Sequence, residues 1–269
     1  MDFCFGEEFL ISVTYVYLSA RSIMKTNKII LFVGVPVLTN LLFMGLYFSG
    51  IEYAQHIVSP IIDWLPSGSW REFGVIEQLQ NIYLLVIIVV FIIAVFKKPF
   101  VVDKSLFLFG TLIVVFLFLE EVDYGIHFYE YFIGQSSGIE VRNWHNQKAV
   151  EGGGGQNVKY LKQAADLAMV IWFIIFPILS SKINWLPLKN IIPSRWFIIG
   201  FIISIVFSRC AHFLQEIDLD VINGIEGGLR GNLSEFRETN TYYFYMLYGF
   251  QLFRTGIYSA NSRLSSSNA

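Results

Sequence analysis

Charged residues and cysteines are scarce in this sequence. Only 15% of the 269 residues are charged and 55% are hydrophobic, whereas about 25% charged residues is usual for a soluble domain. The two cysteines, Cys4 and Cys210, have no neighbouring partners, so neither a disulfide framework nor a cysteine-based zinc site is indicated. There is also no Walker-type phosphate loop and no basic patch typical of nucleic-acid binding. The composition therefore favours a membrane protein, with no nucleic-acid partner.

Six apolar runs are long enough, or nearly long enough, to cross a bilayer. A membrane-spanning helix needs roughly 20 apolar residues at about 1.5 Å of rise each. The runs predict an all-α fold, a polytopic transmembrane helix bundle of about six spans. The predicted spans are residues 29–49, 79–96, 105–119, 164–180, 195–214 and the short, tyrosine-rich 242–253.

The chain divides into three predicted parts. Met24, followed by Lys25, Lys28 and an apolar run, is typical of a bacterial start. We therefore interpret residues 1–23 as an N-terminal extension that is either non-native or peripheral. The first apolar run lacks a small-residue cleavage site, so we expect a retained helix rather than a signal peptide. Residues 24–258 form the predicted transmembrane domain, and residues 259–269 form a C-terminal cytoplasmic tail.

The distribution of charge orients the predicted bundle. Basic residues concentrate in the segments at one side of the spans, where the only acidic residue is Asp103. These basic residues are Lys25, Lys28, Lys97, Lys98, Lys104, Lys182, Lys189, Arg195, Arg254 and Arg263. The positive-inside rule then predicts a multi-pass protein of the bacterial inner (plasma) membrane with both termini in the cytoplasm. All four histidines fall on the outer, periplasmic side.

Ionisable residues interrupt three of the runs at one predicted depth. Glu120, Asp166 and Arg209 lie about 14–15 residues from the inner ends of their runs, which corresponds to roughly 21–23 Å. His212 lies one turn further out. A charge near the middle of the membrane costs about 2.5–3.5 kcal/mol, so such groups usually pair or face the bundle interior. An ion pair that only locks the helices and a functional site both explain this layer.

A row of acidic and histidine residues continues beyond the third run. Glu120, Asp123, His127 and Glu130 are spaced i, i+3, i+7 and i+10, which predicts one face of a continued helix. Carboxylates and imidazoles on facing helices provide either metal ligands or an acid–base pair. A divalent metal held by Glu120, Asp123, His127 and His212 is one hypothesis. Metal-free acid–base chemistry, polar recognition and an aromatic interfacial helix are the alternatives.

An outer loop and the start of the second run add candidate binding residues. Arg142, Asn143, His145 and Asn146 follow the acidic row and carry side chains that hydrogen-bond and stack. Because this loop is predicted to lie over the polar layer, it is a candidate site lid. Glu77 is predicted near the outer membrane boundary, where it would join the same cluster.

Two motifs give the chain a family resemblance. Glu120, Glu121, Tyr124 and Gly125 form a Glu-Glu-x-x-aromatic-Gly motif, and residues 143–146 form an Asn-x-His-Asn element. Together with Glu77 and the preceding Arg-Glu-Phe-Gly at 71–74, they resemble a family of uncharacterised bacterial polytopic membrane proteins over about residues 70–150. Residues 123–126 read Asp-Tyr-Gly-Ile where that family usually has Ser-Trp-Gly-Gln. The resemblance implies the location of a site and no particular chemistry.

The sequence agrees with three different functions. The first is a hydrolase or transferase acting on a lipid or lipid-linked substrate, because partly buried carboxyls suit proton transfer. Its predicted catalytic residues are Glu120, Glu121, His127, His145 and His212, and its predicted binding residues are Arg142, Asn143, Asn146, Arg209, Asp166 and Glu77. The second is a non-catalytic subunit or scaffold with protein partners or as a homo-oligomer. The third, a transporter, is the least supported because the inner halves of the runs lack the breaks typical of transport sites.

Overall fold

The computed structural model of the chain describes residues 28–58, 74–139, 160, 163–164, 167–217, 221–222, 225–226 and 235–257. Its elements are, in chain order, α1 (Ile30–Tyr47), α2 (Glu52–Val58), α3 (Val75–Lys97), α4 (Val101–Glu121), α5 (Ile126–Ile133), α6 (Leu167–Lys182), α7 (Leu186–Ile191), α8 (Trp196–Glu216), β1 (Val221–Ile222), β2 (Ile225–Glu226) and α9 (Glu235–Thr255). The two short strands pair antiparallel, and helices form the rest of the architecture that the structure describes.

Four helices are long and apolar enough to cross a membrane, which agrees with a multi-pass membrane protein. They are α1, α3, α4 and the Trp196–Leu214 part of α8. The predicted fourth span forms the shorter apolar helix α6. The predicted sixth span belongs to α9, which begins at Glu235 and is more polar than a candidate span. The total of six spans and the orientation of the termini remain predictions.

Helices α3, α4 and α9 form the centre of the described bundle. Pro99 disfavours a helical conformation at the preceding residue, and Lys98 is extended, with φ −74° and ψ 136°, so α3 stops there. The chain reverses and α4 runs antiparallel to α3. The end of α9 meets the start of α4, because the Ile257 N–H donates to Asp103 Oδ1 at 2.6 Å. The starts of α3 and α9 and the end of α4 therefore lie at the same end of the bundle.

Aromatic side chains fill the bundle between its two ends. Phe32 meets Phe197 edge to face at 4.8 Å, and Phe244 lies beside both rings. Phe173 continues the cluster from α6 towards α8 and α9. Gly200 makes the close approach of Phe244 possible, since a Cβ at this position would lie 2.5 Å from the ring. The interior is a packed aromatic core, which fixes the helices relative to one another.

The predicted continuation of the third helix past Glu121 is wrong. α4 ends at Glu121, and a single 3-10 turn of Asp123–Gly125 separates it from α5. Asp123 and Tyr124 have φ values of 48° and 53°, and Gly125 has a φ of 86°, so three successive residues occupy the left-handed region. Glycine enters that region without steric cost and aspartate tolerates it, which allows the sharp turn. The i, i+3, i+7, i+10 row therefore does not lie on one continuous helix.

Candidate functional site

Carboxyl groups from three helices collect at one end of the bundle. Glu77 lies in the first turn of α3, Glu120 and Glu121 end α4, and Asp123 follows in the 3-10 turn. The first turn of α9 adds Glu235 and Glu238. We call these six side chains the carboxylate cluster. Four of them are buried, namely Glu77, Glu120, Asp123 and Glu235.

The carboxylate cluster behaves as one electrostatic unit. The charges of Glu238, Asp123 and Glu120 act on Glu121. Those of Glu238, Glu77 and Glu121 act on Glu235. Like charges that act on one another disfavour simultaneous ionisation, so a proton on one carboxyl of the cluster relieves its neighbours. Both acid–base chemistry and cation binding use that property.

Two tyrosines donate hydrogen bonds to the carboxyls at the end of α4. The Tyr242 hydroxyl, on α9, donates to Glu121 Oε1. The Tyr124 hydroxyl donates to Glu120 Oε1, and this hydrogen bond raises the pKa of the exposed Tyr124 phenol. Each of these two glutamates therefore has its own phenolic hydrogen-bond donor. The pair Glu121 and Tyr242 also joins α4 to α9 across the bundle.

An amide network ties the start of α3 to the start of α9. Gln80 Nε2 donates to Glu235 Oε2 at 2.8 Å and to Thr239 Oγ1 at 3.0 Å. The Thr239 hydroxyl in turn donates to the backbone oxygen of Glu235 at 2.8 Å. Gln80 is fully buried. The network fixes the position of Glu235, the deepest carboxyl that α9 contributes to the cluster.

Asn81 has unused hydrogen-bonding capacity beside this network. It is 5% exposed and lies one turn after Glu77, on the same buried face of α3. Among the described residues, neither its Nδ2 nor its Oδ1 has a hydrogen-bond partner, and Gln80 Oε1 has none either. Buried polar atoms are normally paired, so each exception calls for an explanation. Contact with a bound polar group is an explanation that agrees with the carboxyls nearby.

The structure separates the predicted site residues into two groups. Glu77, Glu120, Glu121 and Asp123 lie together in the carboxylate cluster. Arg209 and His212 are exposed on α8. The buried positions of that helix are Phe197, Gly200, Phe201, Ser204 and Ala211. Arg209 therefore lies off the face that α8 buries against the bundle, and His212 lies at the edge of that face, exposed near the end of the helix.

The described side chains do not assemble the predicted metal set. Within the described ranges, no group of three histidine, cysteine, aspartate or glutamate side chains is arranged to hold a metal ion. His212 is exposed whereas Glu120 and Asp123 are buried. The backbone of His127 belongs to α5, and its side chain lies outside the described part of the structure. The predicted residues Arg142, Asn143, His145, Asn146 and Asp166 also lie outside it, as do residues 1–23 and 259–269.

Sequence reasoning missed the contribution of α9 and part of that of α3. The missed residues are Gln80, Asn81, Glu235, Glu238, Thr239 and Tyr242. One signal was present, because Ser234 followed by Glu235 and Glu238 is a helix-start pattern with acidic residues in the first turn. That pattern would have extended the predicted sixth helix to Glu235 and brought its carboxyls to the level of Glu121.

Comparison with known proteins gives no assignment for the chain. No protein-family model, no curated protein and no solved structure matches it.

Proposed function

We propose that this chain is a multi-pass membrane enzyme, a hydrolase or transferase, that uses the carboxylate cluster for acid–base chemistry on a lipid or lipid-linked substrate. The observation that carries the proposal is the convergence of six carboxyl groups from α3, α4 and α9, with tyrosine hydroxyls bonded to Glu120 and Glu121. With the positive-inside orientation, the cluster faces the periplasm of a bacterial inner membrane.

Coupled carboxyls suit proton transfer. Within such a group one carboxyl keeps a proton that it can give to a leaving oxygen, while a neighbour stays ionised and can take a proton from water or a hydroxyl. Glu120, Asp123 and Glu238 act on Glu121, the phenol of Tyr242 donates to it, and it is the last residue of the membrane-length helix α4. We therefore assign the central acid–base role to Glu121.

The position of the cluster favours a lipid substrate. The carboxyls lie at the ends of membrane-length helices, which is the level of lipid head groups. Of the four membrane-length helices, α4 is the least covered by the described protein, because 22% of its most apolar stretch is buried, against 44% for α3. A lipid lying along α4 would bring its head group to Glu120 and Glu121 at the end of that helix. The unused amide of Asn81 supplies a further polar contact at the same end.

A non-catalytic membrane subunit is the second candidate. The hydrogen bonds from Gln80 to Glu235 and Thr239, and from Asn40 to Asn240 at 2.9 Å, fix three helices in register. Polar networks of this kind also stabilise purely structural bundles. A transporter is the third and weakest candidate, because aromatic side chains fill the described bundle between its ends.

The test compares lipid turnover by the purified protein and two variants in nanodiscs made from a bacterial lipid extract. Mass spectrometry follows every lipid species and every released head group. Glu121→Gln keeps the hydrogen-bond acceptor for Tyr242 but removes the titrating group. Glu216→Gln is the matched control, because Glu216 is exposed at the end of α8.

We expect wild type and Glu216→Gln to consume the same lipid species, and Glu121→Gln to do so about 100-fold more slowly. Unchanged lipids with folded wild-type protein, or equal turnover by all three proteins, would overturn the enzymatic proposal. In that case a partner that co-purifies stoichiometrically with the wild-type protein would favour the subunit hypothesis.

A further inference from the structure

A basic cavity lies at the opposite end of the bundle from the carboxylate cluster. Its volume is about 690 Å³, and it lies between the start of α1, α7, the loop after α7 and the end of α9. Four cationic side chains line it, namely Lys28, Lys189, Arg195 and Arg254. No aspartate or glutamate is among the described residues that line it. The four cations come from three segments that are distant in the sequence, so the fold creates this concentration of charge.

Hydrogen bonds fix the walls of the basic cavity. Gln251 on α9 uses both ends of its amide on the loop after α7. Its Nε2 donates to the Ile192 carbonyl at 2.7 Å, and its Oε1 accepts from the Ser194 N–H at 3.0 Å. Asn190 Nδ2 donates to the Ile257 carbonyl at 2.9 Å, which ties α7 to the segment after α9. The cavity is therefore a preformed feature of the fold.

The lining combines charge with apolar surface. Leu31 and Phe32 from α1 and Ile192 and Pro193 from the loop form buried apolar walls. The four cationic residues are exposed, so their head groups remain accessible to a ligand. Positive charges that line one cavity repel one another, and an anion bound among them would relieve that repulsion. The positive-inside tendency explains cations at this side of a membrane, but it does not explain their convergence on one cavity with apolar walls.

We infer that the basic cavity binds the phosphate of an anionic phospholipid from the leaflet that this end of the bundle faces. Basic pockets between membrane helices are suited to anionic head groups. Lysine and arginine would bind the phosphate, and the apolar walls would contact the first carbons of the acyl chains. The inference is independent of the proposed enzyme, because no residue of the carboxylate cluster takes part.

The test measures lipid binding to detergent-purified full-length protein by native mass spectrometry. The probes are phosphatidylglycerol, phosphatidylcholine, glycerol 3-phosphate and inorganic phosphate. The test variant is the double substitution Lys189→Gln/Arg254→Gln. The control is Lys97→Gln/Lys182→Gln, which removes two exposed cations that do not line the cavity. Lys189→Arg/Arg254→Lys keeps the charge and reports on folding of the altered site.

We expect wild type and the control variant to bind phosphatidylglycerol at least 10-fold more tightly than phosphatidylcholine. The test variant should lose about 10- to 30-fold in affinity for phosphatidylglycerol, while the charge-keeping variant binds like wild type. Equal binding of both lipids, or an equal loss in the control variant, would overturn the inference. Binding of inorganic phosphate or glycerol 3-phosphate as tight as that of phosphatidylglycerol would identify a site for a free anion and overturn the lipid assignment.

Discussion

The two ends of α9 hold buried acidic groups in opposite surroundings. At its end, Asp103 accepts a hydrogen bond from the Ile257 N–H at 2.6 Å, and Lys98 is close enough for the two charges to interact. Gly256 turns the chain there with a φ of 64°, and a Cβ on it would lie 3.0 Å from Asp103 and 3.1 Å from Lys98. At the start of α9, Glu235 lies instead among other carboxyls.

This difference separates a structural acid from candidate functional acids. Asp103 has an N–H donor and a cation, and burial lowers the pKa of the Lys98 ammonium while Asp103 opposes that shift. The interaction therefore stabilises the fold. The carboxylate cluster brings like charges together, which costs stability, and such a cost is common where function requires the arrangement. We therefore expect a substitution of Asp103 to lower the free energy of unfolding. A substitution of Glu235 in the carboxylate cluster should raise the free energy of unfolding and lower lipid turnover.

The largest expected effect on stability is at Asp103. Asp103→Ala removes the acceptor of the Ile257 N–H and leaves Lys98, which is half-buried, without that charge partner. We expect the free energy of unfolding to fall by about 2–3 kcal/mol, measured by denaturant titration in detergent micelles. Asp103→Asn keeps an acceptor oxygen and should lose less. If Asp103→Ala lowers the free energy of unfolding by less than the error of the titration, Asp103 does not have the structural role assigned to it.

The same substitution at two tyrosines of α9 should act in different ways. Tyr242→Phe removes the donor to Glu121, so lipid turnover should fall about 10-fold or more with little change in unfolding. Tyr248→Phe removes a donor to the Ile191 carbonyl, a 2.6 Å bond at the basic end. It should lower the free energy of unfolding by about 1 kcal/mol and leave turnover unchanged. Equal effects on turnover would mean that the carboxylate cluster has no special role.

Hydropathy predicted the helices that expose long apolar surfaces better than the helix that is mostly buried by its neighbours. The helices α1, α3, α4 and α8 have long apolar runs, and most of that apolar surface is not covered by the described protein. α9 carries Glu235, Thr239 and Asn240 on buried positions, and its polarity is shielded by neighbouring helices. A hydropathy criterion therefore predicts only residues 242–253 of this helix and misses its polar first part.

Counting along the apolar runs predicts one depth for Glu120, Asp166 and Arg209, with His212 one turn further out. Such counting does not predict which way a side chain faces, because that depends on which positions of its helix are buried. On α8 the buried stripe is Phe197, Phe201, Ser204 and Ala211, and a helix rotates by about 100° per residue. Arg209 lies about 80° from Phe201 around the helix, off that stripe, whereas His212 lies only about 20° from Phe201 and is exposed near the end of the helix. The left-handed turn after Glu121 is a second effect that counting residues along a run does not predict, because such counting assumes a continuous helix.

Two buried asparagines offer a comparison of paired and unused amides. Asn40 Nδ2 donates to Asn240 Oδ1 at 2.9 Å and to the Pro36 carbonyl at 2.6 Å, so Asn40→Leu should lower the free energy of unfolding by about 1–2 kcal/mol. Asn81→Leu should leave it unchanged or raise it, because no described residue bonds its amide. Lipid turnover should fall in Asn81→Leu and not in Asn40→Leu. A destabilised Asn81→Leu with normal turnover would make Asn81 a structural residue.

The smallest expected effect is a gain in stability at the start of α9. Glu235→Gln keeps an acceptor oxygen for Gln80 and removes a buried carboxyl whose ionisation the charges of Glu77, Glu121 and Glu238 oppose. We expect the free energy of unfolding to rise by about 0.5–1 kcal/mol, with Glu216→Gln as the exposed control that changes nothing. Turnover should fall, because the cluster loses one of the carboxyls among which it shares protons. A loss of stability would instead place Glu235 with Asp103 among the structural acids, and the carboxylate cluster would then be defined by Glu77, Glu120, Glu121, Asp123 and Glu238.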